Sequence, residues 1–556
     1  MAAALIPPVA ELRKLVAHVE SQRERRMAGW KELSRFLLPS RGQFPGEEKD
    51  GLRSAVRFNS AASRALRKSA AGLTEAMTPA SQQWFRHDYL DREQREIEYA
   101  REYADAVDER LGAILSKGRF YNAIHVFNQD LLCFGCALLY AEADDTTVMR
   151  YSCPPIGSWA VAMDDSGELA FVVQRLFFSA RTMVQRFGAD RVSDGVLRDA
   201  ESRPYEMREV VHVVCERPGK DGGALGVLDK PWASYWYEAG HAGADYLQVG
   251  GYDEMPFFFT RWAEGRGVYG VGPGDEALSD QRSIENWELY KTIGIEKTID
   301  PPIMVPGMLK GRVNTNPGAR NSVAGSGQGQ QILPLYQIQF GPALQLVQQE
   351  IQNISARIED SLLASVFASI SMDARPAQMS ATEFMARKRE AAQQTGPAIA
   401  QYEPQVLDKV LSRTFNRAQM LGLMPQPPDA LGGDFLLTSE YLGPLSQMLR
   451  QTGADSTRQL VTDIVQLAQV NQEILDKIDM DQVVDELARG VSAPGSIVRA
   501  DEQVAEIRQQ RAEQQQAAQE QQQALEQQQM MAQAANVRTK DTVAGALMGA
   551  GQEAQQ

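Results

Sequence analysis

The chain is poor in cysteine and in positive charge, and each shortage argues against a class of protein. Its 556 residues include four cysteines, too few for a disulfide-stabilised framework. Acidic residues outnumber basic ones by 72 to 57, for a formal net charge of −15. A protein built to grip DNA is normally basic, because phosphate neutralisation drives its binding. If this chain handles DNA, we expect it to do so without holding it tightly.

Long hydrophobic runs are also missing. The longest, Leu131–Ala141, is far short of the ~20 apolar residues that cross a bilayer. The apolar patch Ala2–Val9 is broken by Pro7 and Pro8, unlike the continuous core of a secretion signal. With 43% hydrophobic and 23% charged residues, the composition is that of a folded soluble protein. We therefore expect a cytosolic protein of several domains, with no membrane partner.

Motifs that carry catalysis or cofactors are scarce. The sequence has no P-loop, no H-E-x-x-H and no G-x-S-x-G, and its five histidines are scattered. Gly265–Gly270 matches G-x-G-x-x-G between a strand-like segment and a helix, the local order of a dinucleotide site. No βαβ continuation follows, so a flexible joint is favoured over a cofactor site. We expect no cofactor, no metal and no enzymatic activity.

Cys133 and Cys136 form a C-x-x-C motif. The pair lies on an apolar run, and free cysteines are commonly buried there. A zinc site would need two further ligands, and neither Cys153 nor Cys215 has a partner at ligand spacing. Two buried structural thiols are the favoured interpretation.

Periodicity predicts a mainly helical chain with one α+β region. Apolar spacing predicts four N-terminal helices, at 9–38, 60–77, 92–117 and 120–140. Between 148 and 262 the sequence has short β-branched and aromatic runs bounded by Gly, Pro and Asp, which predict strands. These runs are 171–178, 210–215, 232–238 and 257–262. Few long helices separate them, so we expect an antiparallel sheet.

Two long helices are predicted at 275–300 and 342–367, on either side of a glycine-rich insert at 301–341. The first is roughly 39 Å long at ~1.5 Å per residue, and Pro301-Pro302 ends it. Helices joined in this way most simply form an antiparallel pair. Short strands are possible within the insert at Ile303–Val305 and Gln331–Leu335.

One face of the first long helix is acidic. Residues three or four apart share this face, and they are Gln281, Glu285, Glu288, Thr292, Glu296 and Asp300. The face is either a solvated surface or the acidic wall of a channel. If the two helices line a pore, the following loop, 368–380, projects inward with Asp373 and Arg375. Arg375 could then touch phosphates weakly.

The remaining sequence is predicted to be helical. Ser380–Glu383 is a capping box, and a helix should run from Ala381 to about Leu421 with a bend or break at Gly396-Pro397. Further helices are expected within 436–500. The end, 501–556, is a low-complexity segment rich in Gln and Ala, either helical or disordered.

Five segments in a fixed order resemble the head-to-tail connector, or portal protein, of short-tailed, podovirus-type bacteriophages. Together they span about residues 30–425. They are Trp30 to Phe44 with Leu37-Leu38-Pro39, Ala71 to Phe85 with Thr78-Pro79, Phe127 to Tyr140 with Gly135, Tyr269 to Asn286 with Arg282-Ser283, and Met379 to Pro425 with Gly396-Pro397. Each motif alone is moderately specific, and the ordered set is much stronger.

The resemblance implies a portal-type ring subunit, mainly α with an α+β wing. Its parts would be a wing (1–270, β-rich at 148–262), two stem helices, a clip, a tunnel loop (368–380), a long kinked helix of the wing (381–435) and a helical crown (436–500). The stem would be the helices 275–300 and 342–367, and the clip would be 301–341. Candidate channel residues are Glu285, Glu288, Glu296, Asp373 and Arg375.

The resemblance also implies partners and a location. Twelve copies would form a ring at the portal vertex of the virion, assembled in the host cytoplasm. The partners would be the terminase large subunit, a tail adaptor or tail proteins, a scaffold protein, the major capsid protein and double-stranded DNA that passes non-specifically. Two alternatives stay open: a nucleotide-binding enzyme that uses Gly265–Gly270, and a helical scaffold protein unrelated to phages.

Overall fold

The computed structural model describes most of the first 446 residues and little beyond them. The described ranges are 6–44, 57–90, 98–217, 226–240, 245–265, 267–299, 303–304, 314, 333–334, 340–370, 393–427, 437–446 and short pieces within 482–530. Contacts divide the chain into two compact units. The larger holds residues 1–87, 105–426 and 439–463, and the smaller holds 88–104, 427–438 and 464–556.

Between residues 6 and 427 the described ranges contain the helices that build the larger part of the fold. They are α1 (Val9–Phe36), α2 (Ala61–Met77), α3 (Glu98–Lys117), α4 (Phe120–Phe134), α5 (Ala180–Phe187), α6 (Asp194–Ser202), α7 (Pro273–Ile299), α8 (Phe340–Ser361), α9 (Ala364–Ile370), α10 (393–402) and α11 (Asp408–Met420). The helices predicted at 9–38, 60–77 and 275–300 are confirmed to within two residues at each end.

The strands pair antiparallel wherever their register is defined. They are β1 (Phe85–Tyr89), β2 (Cys136–Asp144), β3 (Val148–Ser152), β4 (Trp159–Met163), β5 (Leu169–Ser179), β6 (Met207–Glu216), β7 (Trp232–Glu238), β8 (Gln248–Tyr252), β9 (Phe257–Arg261), β10 (Ile303–Met304), β11 (Leu333–Pro334) and β12 (Leu437–Tyr441). One sheet has the order β4-β5-β6-β7-β8 and another the order β3-β2-β9. The predicted antiparallel α+β region is confirmed.

The predicted helix over 120–140 is wrong in its second half. Gly135 ends α4 in the left-handed conformation, with φ 76°. The chain then continues as β2, where Leu138 faces Phe259 of β9. The apolar run is continuous in sequence, so periodicity could not separate a buried helix from a buried strand. The long-range pairing with β9 decides the conformation.

Helices cover both faces of the five-stranded sheet. Residues that alternate along a strand point to opposite faces. On one face Val211 and Tyr235 pack against Leu12 and Val16 of α1. On the other face Trp236 belongs to a second cluster, formed with α5 and α6. The sequence analysis missed these two short helices, which begin after Ser179 and Ser193, whose hydroxyls accept hydrogen bonds from Thr182 N and Val196 N.

The two long helices form an antiparallel pair, as predicted. Near the start of α7, Asp280 pairs with Arg357 near the end of α8, at 3.0 Å. Beyond the other end of the pair, Ile303 of β10 faces Pro334 of β11, which confirms the short strands expected in the insert. The second helix is shorter than predicted, because Leu363 takes a positive φ of 57° between α8 and α9.

The sequence predicted a bend or break at Gly396-Pro397, but the chain departs from α-helical geometry further on. Residues 393–402 are helical through Gly396 and Pro397, and the irregularity is a π-helical turn at Glu403–Leu407. Pro404 has no N–H to donate to the preceding turn, which favours a shift in the hydrogen-bond register.

The predicted helical region 436–500 begins as a strand. In the larger unit, Leu442 N donates to Trp84 O, and Arg86 pairs with Glu440 at 2.6 Å. Most of 301–341, all of 371–392 and most of 447–556 lie outside the described residues.

Candidate functional site

The site is the helical hairpin formed by α7 and α8, together with the joint from which α7 emerges. The joint contains three glycines, Gly270, Gly272 and Gly274. A Cβ on Gly274 would lie 2.1 Å from the carbonyl oxygen of Cys133, and one on Gly272 would lie 2.6 Å from Gly135 Cα. Only glycine permits this approach. The start of α7 is therefore packed directly on the end of α4.

An ion pair fixes the same joint to α1. Asp275, in the first turn of α7, accepts a hydrogen bond from Gly272 N at 3.1 Å. Its carboxylate also pairs with the Arg26 guanidinium at 2.9 Å. A carboxylate in the first turn is favourable because it faces unpaired N–H groups and the positive end of the helix dipole. Pro273 opens the helix, where its missing N–H costs nothing.

Glu285 lies in the interior of the subunit and binds the segment that leads into α2. Its carboxylate accepts hydrogen bonds from Phe58 N at 2.7 Å and Asn59 N at 3.3 Å. It also accepts one from the Gln281 amide at 2.9 Å. Gln281 in turn accepts from Ala62 N at 3.3 Å, one of the donors that a helix start leaves unpaired. Two side chains of α7 thus hold residues 58–62 at the entry to α2.

We call Gly270–Glu288 the hairpin root and Leu289–Ile299 the distal stretch. Glu288 is still tied to the root, because Asn59 donates to its carboxylate at 3.0 Å and Lys291 forms an ion pair with it. In the distal stretch Glu296 is exposed. The acidic face predicted from helical spacing is therefore covered by residues 58–62 along the root and open beyond it.

The distal part of the hairpin exposes apolar side chains. Tyr290 on α7 is 64% exposed, and Leu346 on α8 is 69% exposed. Ile295 and Ile299 are exposed as well. The antiparallel register set by Asp280–Arg357 brings Tyr290 and Leu346 to about the same level of the hairpin. Apolar surface of this kind marks a site of contact with another protein surface.

Comparison with known proteins identifies the family. A profile described as "Bacteriophage head to tail connecting protein" matches residues 9–498. The chain belongs to this family of phage connectors. The sequence-based resemblance is thereby confirmed, and the alternative of a scaffold protein unrelated to phages is set aside.

Two relatives are similar to this connector over nearly their whole length. One, from Bordetella phage BPP-1, is described as "Probable portal protein" and is 29% identical over 503 residues, covering 89% of this chain and 90% of the relative. The other, from Salmonella phage epsilon15, is described as "Portal protein" and is 27% identical over 509 residues, covering 90% and 91%.

One solved structure that matches the connector is described as "Neck of empty GTA particle computed with C6 symmetry". The match covers 72% of this chain and 86% of the other, at 13% identity and a TM-score of 0.32. Similarity at that level carries no conclusion about function.

The structure places three of the five candidate channel residues of this connector. Glu285 is buried against the start of α2, Glu288 is half-buried beside Lys291, and Glu296 is exposed on the distal stretch. Asp373 and Arg375 lie outside the described residues. The channel assignment of all five stays a prediction. The sequence analysis missed the tie between α7 and residues 58–62, because nothing local in α7 signals it.

The glycine-rich turn at 265–270 has a packing role in the connector. Tyr269 is buried, its ring lies 5.1 Å from that of Trp30, and its hydroxyl accepts from Val161 N at 3.2 Å. A Cβ on Gly270 would lie 2.6 Å from the carbonyl oxygens of Ala263 and Gly135. The end of the turn, Tyr269 and Gly270, is thus closely packed, whereas a Cβ on Gly267 would meet no heavy atom within 4 Å.

The C-x-x-C thiols are buried, as expected. Burial raises the pKa of both Cys133 and Cys136, so the thiols stay protonated and unreactive at neutral pH. Within the described ranges no three His, Cys, Asp or Glu side chains converge as a metal site. No helix in the same ranges is long and apolar enough to cross a membrane.

Proposed function

We propose that this connector is a phage portal subunit. Copies assemble into a ring of twelve at one vertex of the capsid, and double-stranded DNA is packaged and ejected through the central channel. The observation that carries the proposal is the match over about nine-tenths of the chain to two proteins described as portal proteins. In this role the chain is mechanical and has no chemistry of its own.

The exposed apolar residues of the hairpin support a ring. Burying a side chain such as Tyr290 or Leu346 contributes on the order of 1.5–3 kcal/mol. Each copy in a closed ring contacts two neighbours, so the same residues are covered at every interface. In this arrangement α7 and α8 form the stem, and residues 1–270 form the wing.

The other parts follow the family resemblance. Residues 301–341 form the clip, which meets the terminase large subunit and later the tail adaptor or tail proteins. Residues 368–380 form the tunnel loop, 381–435 the long helix of the wing and 436–500 the crown. The wing and crown face the major capsid protein and the scaffold protein. Assembly takes place in the host cytoplasm, and the finished ring lies in the virion.

The exposed carboxylate of Glu296 suits a conduit, because it repels the DNA backbone and keeps DNA from sticking. The distal stretch also carries Lys291 and Lys297, so this repulsion depends on the face that bears Glu296 and not on the charge of the whole stretch. Glu288, about two turns earlier on the same face and paired with Lys291, is the second carboxylate that we propose for the wall. Asp373 and Arg375 of the tunnel loop are proposed to face DNA as well. We assign Glu285 to holding the subunit together, since its carboxylate is occupied by backbone donors.

Negative-stain electron microscopy of the purified full-length protein tests the ring. We expect annular particles with a central hole of about a duplex diameter. A protein that stays monomeric across protein and salt concentrations would contradict the proposal.

An in vitro packaging assay tests whether Glu296 lines the proposed DNA channel. The variant Glu296→Lys should slow DNA translocation because the new ammonium attracts phosphate, with the largest effect at low salt. Glu201→Lys, an equal change of charge at an exposed position of the wing, serves as the control. Equal packaging rates in the two variants would show that Glu296 does not face DNA.

A further inference from the structure

A cavity of about 700 Å³ lies within the wing, apart from the hairpin. It is bounded by the β4–β5 turn, the ends of β6 and β7, the β8–β9 turn and residues 405–412. Its volume is that of sites that hold a small ligand or a few side chains of a peptide. The last of these segments adjoins the π-helical turn Glu403–Leu407, a type of irregularity that recurs at functional sites.

The lining of this cavity is strongly acidic. Six carboxylates contribute to it: Asp164, Glu168, Glu216, Asp253, Glu254 and Asp408. A single lining residue, Lys409, carries positive charge, and it pairs with Glu168. Asp253 pairs with Lys230 at 2.8 Å. These two pairs leave most of the negative charge of the cavity uncompensated.

Two of the carboxylates form no ion pair with any described residue. Glu216, at the end of β6, is exposed, and its side chain has no hydrogen bond or ion pair with the part of the chain that the structure describes. The Ser166 hydroxyl donates to Asp164 at 2.7 Å and lowers the pKa of that carboxyl, which favours its ionised form. A cation entering the cavity can therefore approach both carboxylates without displacing another cation.

The same cavity also has an apolar side. Met163, Leu169, Trp232 and Met255 line it and are half-buried, so they present carbon surface to the space. Carboxylates beside aromatic and thioether groups suit a ligand with a positively charged group next to apolar carbon, either in the same side chain or in an adjacent residue. Arginine and lysine side chains have this composition.

We propose that this cavity binds a peptide segment of a partner protein in which Arg or Lys stands next to an apolar or aromatic residue. The cation lies against Glu216 and Asp164, and the apolar residue lies against Trp232 and Met255. Charge complementarity selects the partner: a basic segment is attracted to a chain whose net charge is −15, and the cavity concentrates that charge. The proposal adds a docking point in the wing to the channel function of the hairpin.

The test uses the purified full-length protein and a fluorescein-labelled hexapeptide of alternating Arg and Leu, with binding followed by fluorescence anisotropy. Glu216→Lys should weaken binding by about tenfold, because it replaces an attraction with a repulsion. Lys409→Ala should tighten binding a few-fold, because it frees Glu168. Glu201→Lys changes the net charge equally at an exposed site outside the cavity and should leave the affinity unchanged. A variant that merely unfolds cannot produce the tightening.

Several results would overturn the proposal. One is equal weakening by Glu216→Lys and Glu201→Lys, which means that the peptide senses net charge alone. Another is competition by spermidine as effective as that by unlabelled peptide, which means a simple counterion site. A third is that the parent protein binds no peptide while Glu216→Lys fails to form rings. The cavity would then be a contact site for a second copy of this chain. The peptide assay does not require a ring. If the protein turns out not to form rings, the assay still tests whether the cavity binds the peptide.

Discussion

The root and the distal stretch of α7 belong to one continuous helix but have opposite environments. In the root, Glu285 is occupied by backbone donors from Phe58 and Asn59, and Gly274 touches the backbone of Cys133. In the distal stretch, Tyr290 is 64% exposed. The root is built to hold the helix to its own subunit, while the distal stretch keeps apolar surface and the exposed carboxylate of Glu296 for contacts outside it.

This difference shows why helical spacing alone is an incomplete guide to function. Glu285 and Glu296 share a face of α7 by spacing. Glu285 binds the backbone of the segment that leads into α2, whereas Glu296 is open to solvent. A helix face is thus defined by sequence, but its role changes along the helix wherever another part of the chain covers it.

The largest expected effect comes from disturbing the root at Gly274. In Gly274→Ala the new Cβ would collide with the carbonyl of Cys133, and the backbone of both helices would have to move. We expect a loss of about 3 kcal/mol in the free energy of unfolding, at the upper end of overpacking effects. Urea unfolding measures it. Gly267→Ala, where a Cβ would meet no heavy atom within 4 Å, should change little, and equal midpoints for the two variants would contradict the tight joint.

Removing apolar surface from the distal part should spare the subunit and weaken the assembly. The double variant Tyr290→Ser with Leu346→Ser is expected to leave urea unfolding of the subunit unchanged. It should reduce ring formation, because about 2 kcal/mol or more of burial is lost at each interface. Sedimentation velocity reports both the ring and the free subunit. Tyr205→Ser, which removes a 76% exposed tyrosine between α6 and β6, should keep the ring, and equal loss of rings in both variants would contradict the difference between the two regions.

The two glutamates give a more direct contrast between the regions. Glu285→Ala leaves Phe58 N, Asn59 N and the Gln281 amide without their acceptor, which should cost about 2 kcal/mol. Glu296→Ala removes an exposed carboxylate and should stay within about 0.5 kcal/mol of the parent protein. Chemical unfolding followed by circular dichroism measures both. Similar losses would mean that the distal stretch contributes to the stability of the subunit as much as the root does.

The smallest effect near neutral pH concerns the five-stranded sheet. The ring of His212 stacks on that of Trp236, with centroids 3.9 Å apart, and its Nε2 is hydrogen bonded to Ser234 Oγ at 2.9 Å. Burial lowers the pKa of the imidazole to about 3. The unfolded chain takes up a proton at roughly pH 6.5 and the folded chain does not. Stability is therefore complete above pH 6.5 and falls by up to about 1.4 kcal/mol for each pH unit between roughly 6 and 4.

The matched variant isolates that contribution. His212→Gln should flatten the decline in unfolding free energy below pH 6, while His18→Gln, at an exposed position of α1, should leave it as it is. If the unfolding free energy of His212→Gln fell with pH as steeply as that of the parent protein, His212 would have to be protonated in the folded state.

Several elements could be predicted from sequence because their signals are local. The apolar spacing of α1 and the Pro301-Pro302 that ends α7 each report one helix, and the aromatic run Trp232–Glu238 reports one strand. The prediction for the stretch after Gly135 failed because a distant strand, β9, pairs with it. The π-helical turn at Glu403–Leu407 was missed for a local reason: Pro404 lies within it, whereas the Gly-Pro that suggested a break ends six residues earlier.

The candidate site was predictable in outline and not in detail. The acidic stripe could be read from spacing, but its burial along the root depends on residues 58–62, more than 200 positions away in the chain. The exposure of Tyr290 and Leu346 is likewise a property of the packed hairpin. The acidic cavity brings together residues from five separate segments, which no local motif marks.

By itself, the sequence determined the family and the helical hairpin, since family motifs and helical periodicity are carried by the order of residues. The tertiary structure alone decided which carboxylates of α7 serve the subunit and which face outward. The reason is that burial and hydrogen bonding are set by neighbours in space, and the neighbours of Glu285 and Glu296 differ although their positions on the helix do not.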